Sequence, residues 1–350
     1  GKTAMLLGAR ALREPALMAA ARIAAKTGVK LYAEVFPTRI ERGAGLPHVE
    51  RIAYLAEMAG VQLADLDHLV LVDAKAPVSF FAYPGKPSYL VPDNCTVHTL
   101  STPDQDATAS LVKLAVALGA TQAQPRLQAA VRPGRPRGKL TAPKVCKAVG
   151  HLLPENAILI DEAITSGLML GAMTAGCPRH DLITLTGGAI GQGLPNAVGA
   201  AVACPDRPVV ALVGDGTAMY TIQALWSMAR ENLHVVSIIF NNASYSVLNV
   251  ELERVGADSG GVKARSQLDL NGPRLNFAQL AQGMGVHAVR TNTAEDFTKA
   301  LEYALATPGP HLIEALVPES LSGVKRRVLP WLLRSLPNLP LPLAQALKRK

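Results

Sequence analysis

Apolar positions change period repeatedly along the first 120 residues. In TAMLLGA they run almost unbroken, as in a strand buried on both faces. From Glu14 to Lys26 they recur every three to four residues between charges, which predicts an amphipathic helix. VKLYAEVF then predicts a second strand and VERIAYLAEMAG a second helix. HLVLVDAK and TVHTLST predict two more strands, and DQDATASLVKLAVALG a closing helix. Strands that alternate with helices of this length imply βαβ units and a parallel sheet.

The pattern restarts after QAQPRLQAAVRPGRPRGKLTAP, a stretch rich in Pro, Arg and Gly that reads as a linker. Beyond it, AILIDEA, LITLTG, VVALVGD, VVSIIFNN, GVHAV and HLIEALV predict strands with helices between them. The fold class expected is α/β, with two doubly wound, mostly parallel sheets. The domains expected are 1–120, a linker 121–143, a second domain 144–318 and a tail 319–350. The polar, Gly-rich segment 257–273 has no clear period and predicts a mobile loop.

Composition sharpens this picture in three places. The chain has 350 residues, 49% of them hydrophobic but only 4% aromatic, which suits tightly packed layers rich in Ala, Leu, Val and Gly. No apolar run reaches the ~18 residues of a membrane span. The net charge of +8 resides in two segments without acids, residues 121–144 and 320–350, so the rest is mildly acidic. No interleaved basic and aromatic face suggests nucleic acid. The tail reads either as a surface- or partner-binding segment or, with its repeated prolines, as an arm lying on its own protein or over the active-site mouth. Cys95, Cys146, Cys177 and Cys204 make no C-x-x-C motif and imply reduced thiols in a cytoplasmic protein. Because the chain starts abruptly at Gly1 and runs straight into a strand, sequence is expected upstream.

Ligands of open parallel sheets bind at the carboxyl ends of strands, and three such ends are chemically unusual. VVALVGDGTAMY ends on Asp215 between Gly214 and Gly216, with a helix expected from about Thr217. Free N–H groups at Gly216 and Thr217 would suit phosphate oxygens, whereas Asp215 would repel them unless a divalent cation such as Mg²⁺ bridged the two. VVSIIFNNASY ends on Asn241 and Asn242, 27 residues past Asp215, so one helix and one strand fit between and the two loops become neighbours. TLTGGAIGQGLPNAVGAA places Gly187, Gly188, Gly191 and Gly193 around Ile190, a bulky residue with no core stripe to join. Each feature alone is more often a structural turn. Their order and spacing argue for one site. A plain dinucleotide site is weakened by Asp215 and by the single glycine of LLGARALRE.

GDG followed by NN at this separation resembles the diphosphate-binding motif of thiamine diphosphate enzymes. DEAITSG, LTGGAIGQGLPNAVGAAVACPDRPVVALVGDG and FNNASYSVLNVELERVGA are similar to the diphosphate-binding domain of the acetolactate synthase and benzoylformate decarboxylase group. HLVLVDAKAPVSFFAYPGKPS is similar to that group's central domain. The resemblance implies thiamine diphosphate and Mg²⁺ as cofactors, a 2-keto acid as substrate, decarboxylation or carboligation as reaction, and a homodimer or homotetramer. Asp215, the Asn242 side chain and the Ser244 carbonyl would bind Mg²⁺. Gly214, Gly216 and Thr217 would line the diphosphate, with Thr165 near it and Tyr245 just after the metal loop. The Gly188 carbonyl would meet the aminopyrimidine, and Ile190 would prop the cofactor into its bent shape. FAD is not expected, since the first turn lacks the needed glycines.

Relatives also carry an N-terminal pyrimidine-binding domain with an activating glutamate. No residue here takes that role; Glu162 and Glu251 lie in the wrong domain. The chain therefore reads either as part of a longer enzyme or as a cofactor-binding subunit that needs a partner. Ala82 stands where benzoylformate decarboxylases carry a histidine, which argues against a simple enzyme of that kind. Phe80, Phe81 and Tyr83 read equally as a substrate mouth or as packing under a loop.

Overall fold

The computed structural model describes residues 1–83, 85–255 and 261–319, and in the tail 328–329, 331–332, 335–336 and 339–349. It divides into two compact units. The first comprises Gly1–Glu41, Leu46–Leu127 and Arg327–Lys350, the second Arg42–Gly45 and Gln128–Arg326.

In the first unit, five parallel strands lie in the order Glu50–Arg51, Lys30–Ala33, Thr3–Leu7, His68–Val72, Thr96–Ser101. The central strand TAMLL is buried from Ala4 to Leu7, as its unbroken apolar run predicts. Helix Glu14–Thr27 begins with a proline in its first turn and stops at Gly28, whose φ of 77° is left-handed. VERIAYLAEMAG is not one helix. Glu50 and Arg51 pair with Tyr32 and Ala33 as an edge strand, Ile52 donates its N–H to the Ala33 carbonyl, and the helix spans only Ala56–Leu63. Here sheet pairing overrides a helical period. The tail packs on that same helix, with Leu336 and Ala344 buried against Val61. Its basic residues 325–327 lie outside the described residues. Phe36, Tyr54, Phe80 and Phe81 form an aromatic cluster with ring centroids 5.4–6.0 Å apart.

In the second unit, six parallel strands follow the order His287–Thr291, His311–Leu316, Val235–Asn241, Val209–Gly214, Ala157–Glu162, His180–Ile183. Strand Val235–Asn241 is buried along its whole length. The chain runs outward from strand Ala157–Glu162 to His180–Ile183, then returns to Val209–Gly214 on the other side. The order therefore reverses between the carboxyl ends at Glu162 and Gly214, and such a switch point is the natural ligand crevice of this architecture.

Residues 128–143 do not hang free. Val131 donates its N–H to Gly176, Leu140 to Asn292, and Gly138 to the Glu295 carboxylate, while Arg135 pairs with Glu302 at 2.9 Å. They form an extended strap along the second unit. Among the described residues, no helix is long and apolar enough to cross a membrane.

Candidate functional site

Strands Val209–Gly214 and Val235–Asn241 pair in parallel with Gly214 opposite Phe240, so their outgoing loops leave side by side. Asp215 opens a one-turn helix, Asp215–Ala218, and is only 4% exposed. Its Oδ2 accepts the Ala243 N–H at 2.6 Å and its Oδ1 the Gly216 N–H at 2.9 Å. Burial pushes its carboxyl up to about 6, against the opposing pull of these N–H groups. The expectation of a free N–H at Gly216 is corrected: Asp215's own carboxylate takes it, because the helical turn starts two residues earlier than Thr217. The Thr217 hydroxyl turns back to the Gly214 carbonyl at 2.9 Å.

The neighbouring loop is tightly built. Asn242 Oδ1 accepts the Ser244 N–H at 2.9 Å, and Ala243 takes a left-handed φ of 55°. A Cβ on Gly216 would lie 2.3 Å from Tyr245 Cε1, so the tyrosine ring lies directly on the anchor turn. The segment read as a mobile loop contributes here. It holds a helix at Val262–Ser266; Leu268 accepts the Tyr245 N–H and Leu270 donates to Ala243. Residues 257–260 of that segment lie outside the described residues. Glu319, which sequence reasoning missed, accepts the hydroxyls of Ser244 and Ser246 at 3.4 and 3.3 Å.

The oxygens thus gathered are the carboxylates of Asp215 and Glu319 and the Asn242 amide oxygen, a hard-oxygen set. Among the described residues, no group of three or more His, Cys, Asp or Glu forms a metal cluster. Each Asp215 oxygen, and Asn242 Oδ1, can accept a further bond beyond the N–H it takes.

The Gly-rich turn lies on the other side of the switch point. Gly187, Gly188 and Gly191 have φ of 66°, 66° and 94°, a path open mainly to glycine. Gln192 donates to the carbonyls of Thr186 and Ala189, which closes the turn on itself. Ile190 is left 39% exposed, with Met219 and Tyr220 also exposed. Thr165 sits in the turn Ile164–Gly167, which packs against strand Val209–Gly214 and helix Ser246–Arg254. All the residues named from the sequence for cofactor or metal thus lie in loops of the second unit at the carboxyl ends of three strands, Ala157–Glu162, Val209–Gly214 and Val235–Asn241, or in the Gly-rich turn after His180–Ile183.

Glu162, which lies in the wrong domain to serve as the activating acid, also belongs to this region. It ends its strand buried, and its carboxylate accepts the N–H groups of Gly191, Gln192 and Gly193. Burial raises its carboxyl, while these bonds oppose the rise. The signal was present: AILIDEA ends on acids just as VVALVGD does.

Residues 168–315 match the family of the thiamine pyrophosphate enzyme C-terminal TPP-binding domain. A Mycobacterium tuberculosis protein with the provisional name acetolactate synthase large subunit IlvX is 54% identical over 315 residues, covering 90% of this chain and 61% of that protein. Benzoylformate decarboxylase of Pseudomonas aeruginosa is 33% identical over 193 residues, covering 55% of this chain and 35% of that enzyme. The solved structure of the Rhodococcus jostii thiamine diphosphate-dependent 4-hydroxybenzoylformate decarboxylase superposes with a TM-score of 0.73 at 26% identity, covering 92% of this chain and 62% of that one. The chain therefore spans about three fifths of the first of these relatives.

Proposed function

From the match of residues 168–315 to the thiamine pyrophosphate enzyme C-terminal TPP-binding domain, we propose that the chain serves Mg²⁺–thiamine diphosphate-dependent conversion of a 2-keto acid, in the manner of acetolactate synthases. In this reading Asp215, the Asn242 side chain and the Ser244 carbonyl hold Mg²⁺. Gly214, Gly216 and Thr217 line the diphosphate, with Thr165 and Tyr245 beside them. Gly188 offers its carbonyl to the aminopyrimidine, and Ile190 stands as an apolar wedge beneath the cofactor. When bound, thiamine diphosphate supplies the electron sink for the carbon–carbon bond broken as the 2-keto acid loses CO₂. The activating glutamate comes from a pyrimidine-binding region outside these 350 residues, and the working protein is a cytoplasmic homodimer or homotetramer. A further domain division at 121–143 and 319 belongs to the same proposal.

The observation that carries the reading is the seat of Asp215. A buried carboxylate rests on the backbone of Ala243, one residue past Asn242, at the crevice where the strand order reverses. Such an acid next to a diphosphate requires a cation between them. Calorimetry on the chain tests this. Thiamine diphosphate is expected to bind only with Mg²⁺, and Asp215→Ala to weaken binding by roughly 100-fold or more, as loss of a charged ligand does. Metal-independent binding would overturn the reading.

A second reading, a benzoylformate-type decarboxylase, is favoured by the 4-hydroxybenzoylformate decarboxylase likeness. Product analysis separates the two once the upstream region is supplied. Acetolactate from pyruvate supports the first reading, and an aromatic aldehyde from an aryl 2-keto acid the second.

A further inference from the structure

Three consecutive backbone N–H groups at the start of helix Gly193–Ala203 converge on a single carboxylate. That helix has no side-chain cap of its own at Gln192. Glu162 supplies the missing acceptor from another strand: Oε1 receives Gly191 and, at 3.2 Å, Gln192, and Oε2 receives Gly193 at 2.8 Å. A negative group suits a helix N-terminus. The fit leaves no slack. A Cβ on Gly193 would lie 2.5 Å from Glu162 Oε2, and one on Gly191 would lie 2.7 Å from Tyr220 Cβ.

The opposite side of the same peptide is also held. Thr221 Oγ1 donates to the Gly191 carbonyl at 2.6 Å. Tyr220 and Thr221 lie just past Met219, the residue that ends the Asp215–Ala218 turn, and donate their N–H groups back to Thr217 and Ala218. Gly191 is therefore tied through its N–H to the end of strand Ala157–Glu162, and through its C=O to the segment carrying Asp215. These two ties span the switch point. Ile190, the residue before Gly191, is 39% exposed.

We propose that Glu162 is a positioning residue that, with Thr221, holds the Gly188–Gly193 turn in register with the Asp215 turn, so that a cofactor anchored by its diphosphate meets Ile190 at a preset distance. This rests on the thiamine diphosphate reading above. Glu162 itself touches no reacting atom; it acts through the turn.

Full-length Glu162→Gln and Thr221→Val separate this role from general support of the fold. Gln keeps one acceptor oxygen and turns an NH₂ toward a backbone N–H; Val removes the second tie without touching the first. Three quantities are read: hydrogen exchange of the amides in residues 186–194 without ligand, the thermal midpoint, and the affinities for Mg²⁺–thiamine diphosphate and Mg²⁺–inorganic diphosphate. In both variants exchange in the turn is expected to quicken about 10-fold, the effect of losing one charged or well-formed hydrogen bond. Affinity for thiamine diphosphate falls by a similar factor, about 10-fold, while inorganic diphosphate binds as before. Unchanged exchange in the turn would overturn the proposal, as would a parallel loss of both affinities together with the thermal midpoint. If neither ligand binds the unsubstituted chain, the cofactor reading fails, yet exchange in the turn still decides whether Glu162 and Thr221 hold it.

Discussion

Gly216 has no room for a side chain, since the Tyr245 ring occupies the place where a Cβ would stand. Gly216→Ala must therefore push the ring away or shift the turn that presents Asp215. The expected result is a loss of roughly 10-fold in Mg²⁺–thiamine diphosphate affinity by calorimetry, with a thermal midpoint only a few degrees lower, because overpacking costs about 1–3 kcal/mol. His180 governs a different property. Its ring is buried, Nε2 has no hydrogen-bond partner among the described residues, and burial pulls its pKa down from 6.5 to about 4. The folded form thus stays neutral where the unfolded chain takes up a proton. Stability from this group is complete above pH 6.5 and drains away as pH falls toward 4, on the order of 3 kcal/mol in all. His180→Asn keeps a donor for the Pro178 carbonyl and removes the titration. Urea unfolding across pH 4–7 is expected to show a shallower pH slope in that variant.

At the scale of elements, the site strand is held from its far side. Glu314, fully buried in strand His311–Leu316, accepts Arg290 Nε at 3.0 Å, Arg290 Nη2 at 2.9 Å, Asn241 Nδ2 at 2.7 Å and the Ala278 N–H at 3.0 Å. Asn241 directly precedes Asn242, so this network fixes the end of the strand that reaches the site. Glu314→Ala leaves a guanidinium and an amide without their acceptor. The expected cost is about 3–5 kcal/mol, measured by denaturant titration. Sequence reading located the long buried strands well, because TAMLL, VVALV and VVSIIF carry their signal within themselves. It failed where the determinant lay elsewhere in the chain. Nothing in VERIAYLAEMAG announces that the Ala33 carbonyl will accept the Ile52 N–H, and nothing in residues 268–270 announces the backbone of 243–245 as their partner. At the site, the GDG and NN spacing made neighbouring loops legible, since the period of one helix and one strand is local. The three N–H groups on Glu162 were not legible, because the acid and the turn are separated by about 30 residues and meet only once the strand order is known.

For the whole molecule, the tail and the strap are the two basic segments singled out by composition, and the fold employs both. Leu336 and Ala344 cover Val61 beside Leu55 and Met58. Ending the chain after residue 327 uncovers that face, at a cost of about 2–4 kcal/mol for one leucine and its neighbours. Differential calorimetry is expected to show a transition at lower temperature, and an unchanged trace would mean that the tail contributes nothing to the first unit.

The strap has a consequence for how the protein is made. Gly138 meets Glu295 across 157 residues of chain, and Arg135 meets Glu302 across 167. At ribosomal speeds of roughly 5–20 residues per second, these strap residues are made about 8–30 s before Glu295 and Glu302. Through that interval Arg135 and Gly138 have no Glu302 or Glu295 to meet. A stretch of apolar residues would be exposed to aggregation for all that time. QPRLQAAVRPGRPRGK is instead soluble, self-repelling and unable to form a ladder of its own. Its odd composition, which in the finished molecule looks like that of a mere spacer, suits a segment that must wait during synthesis.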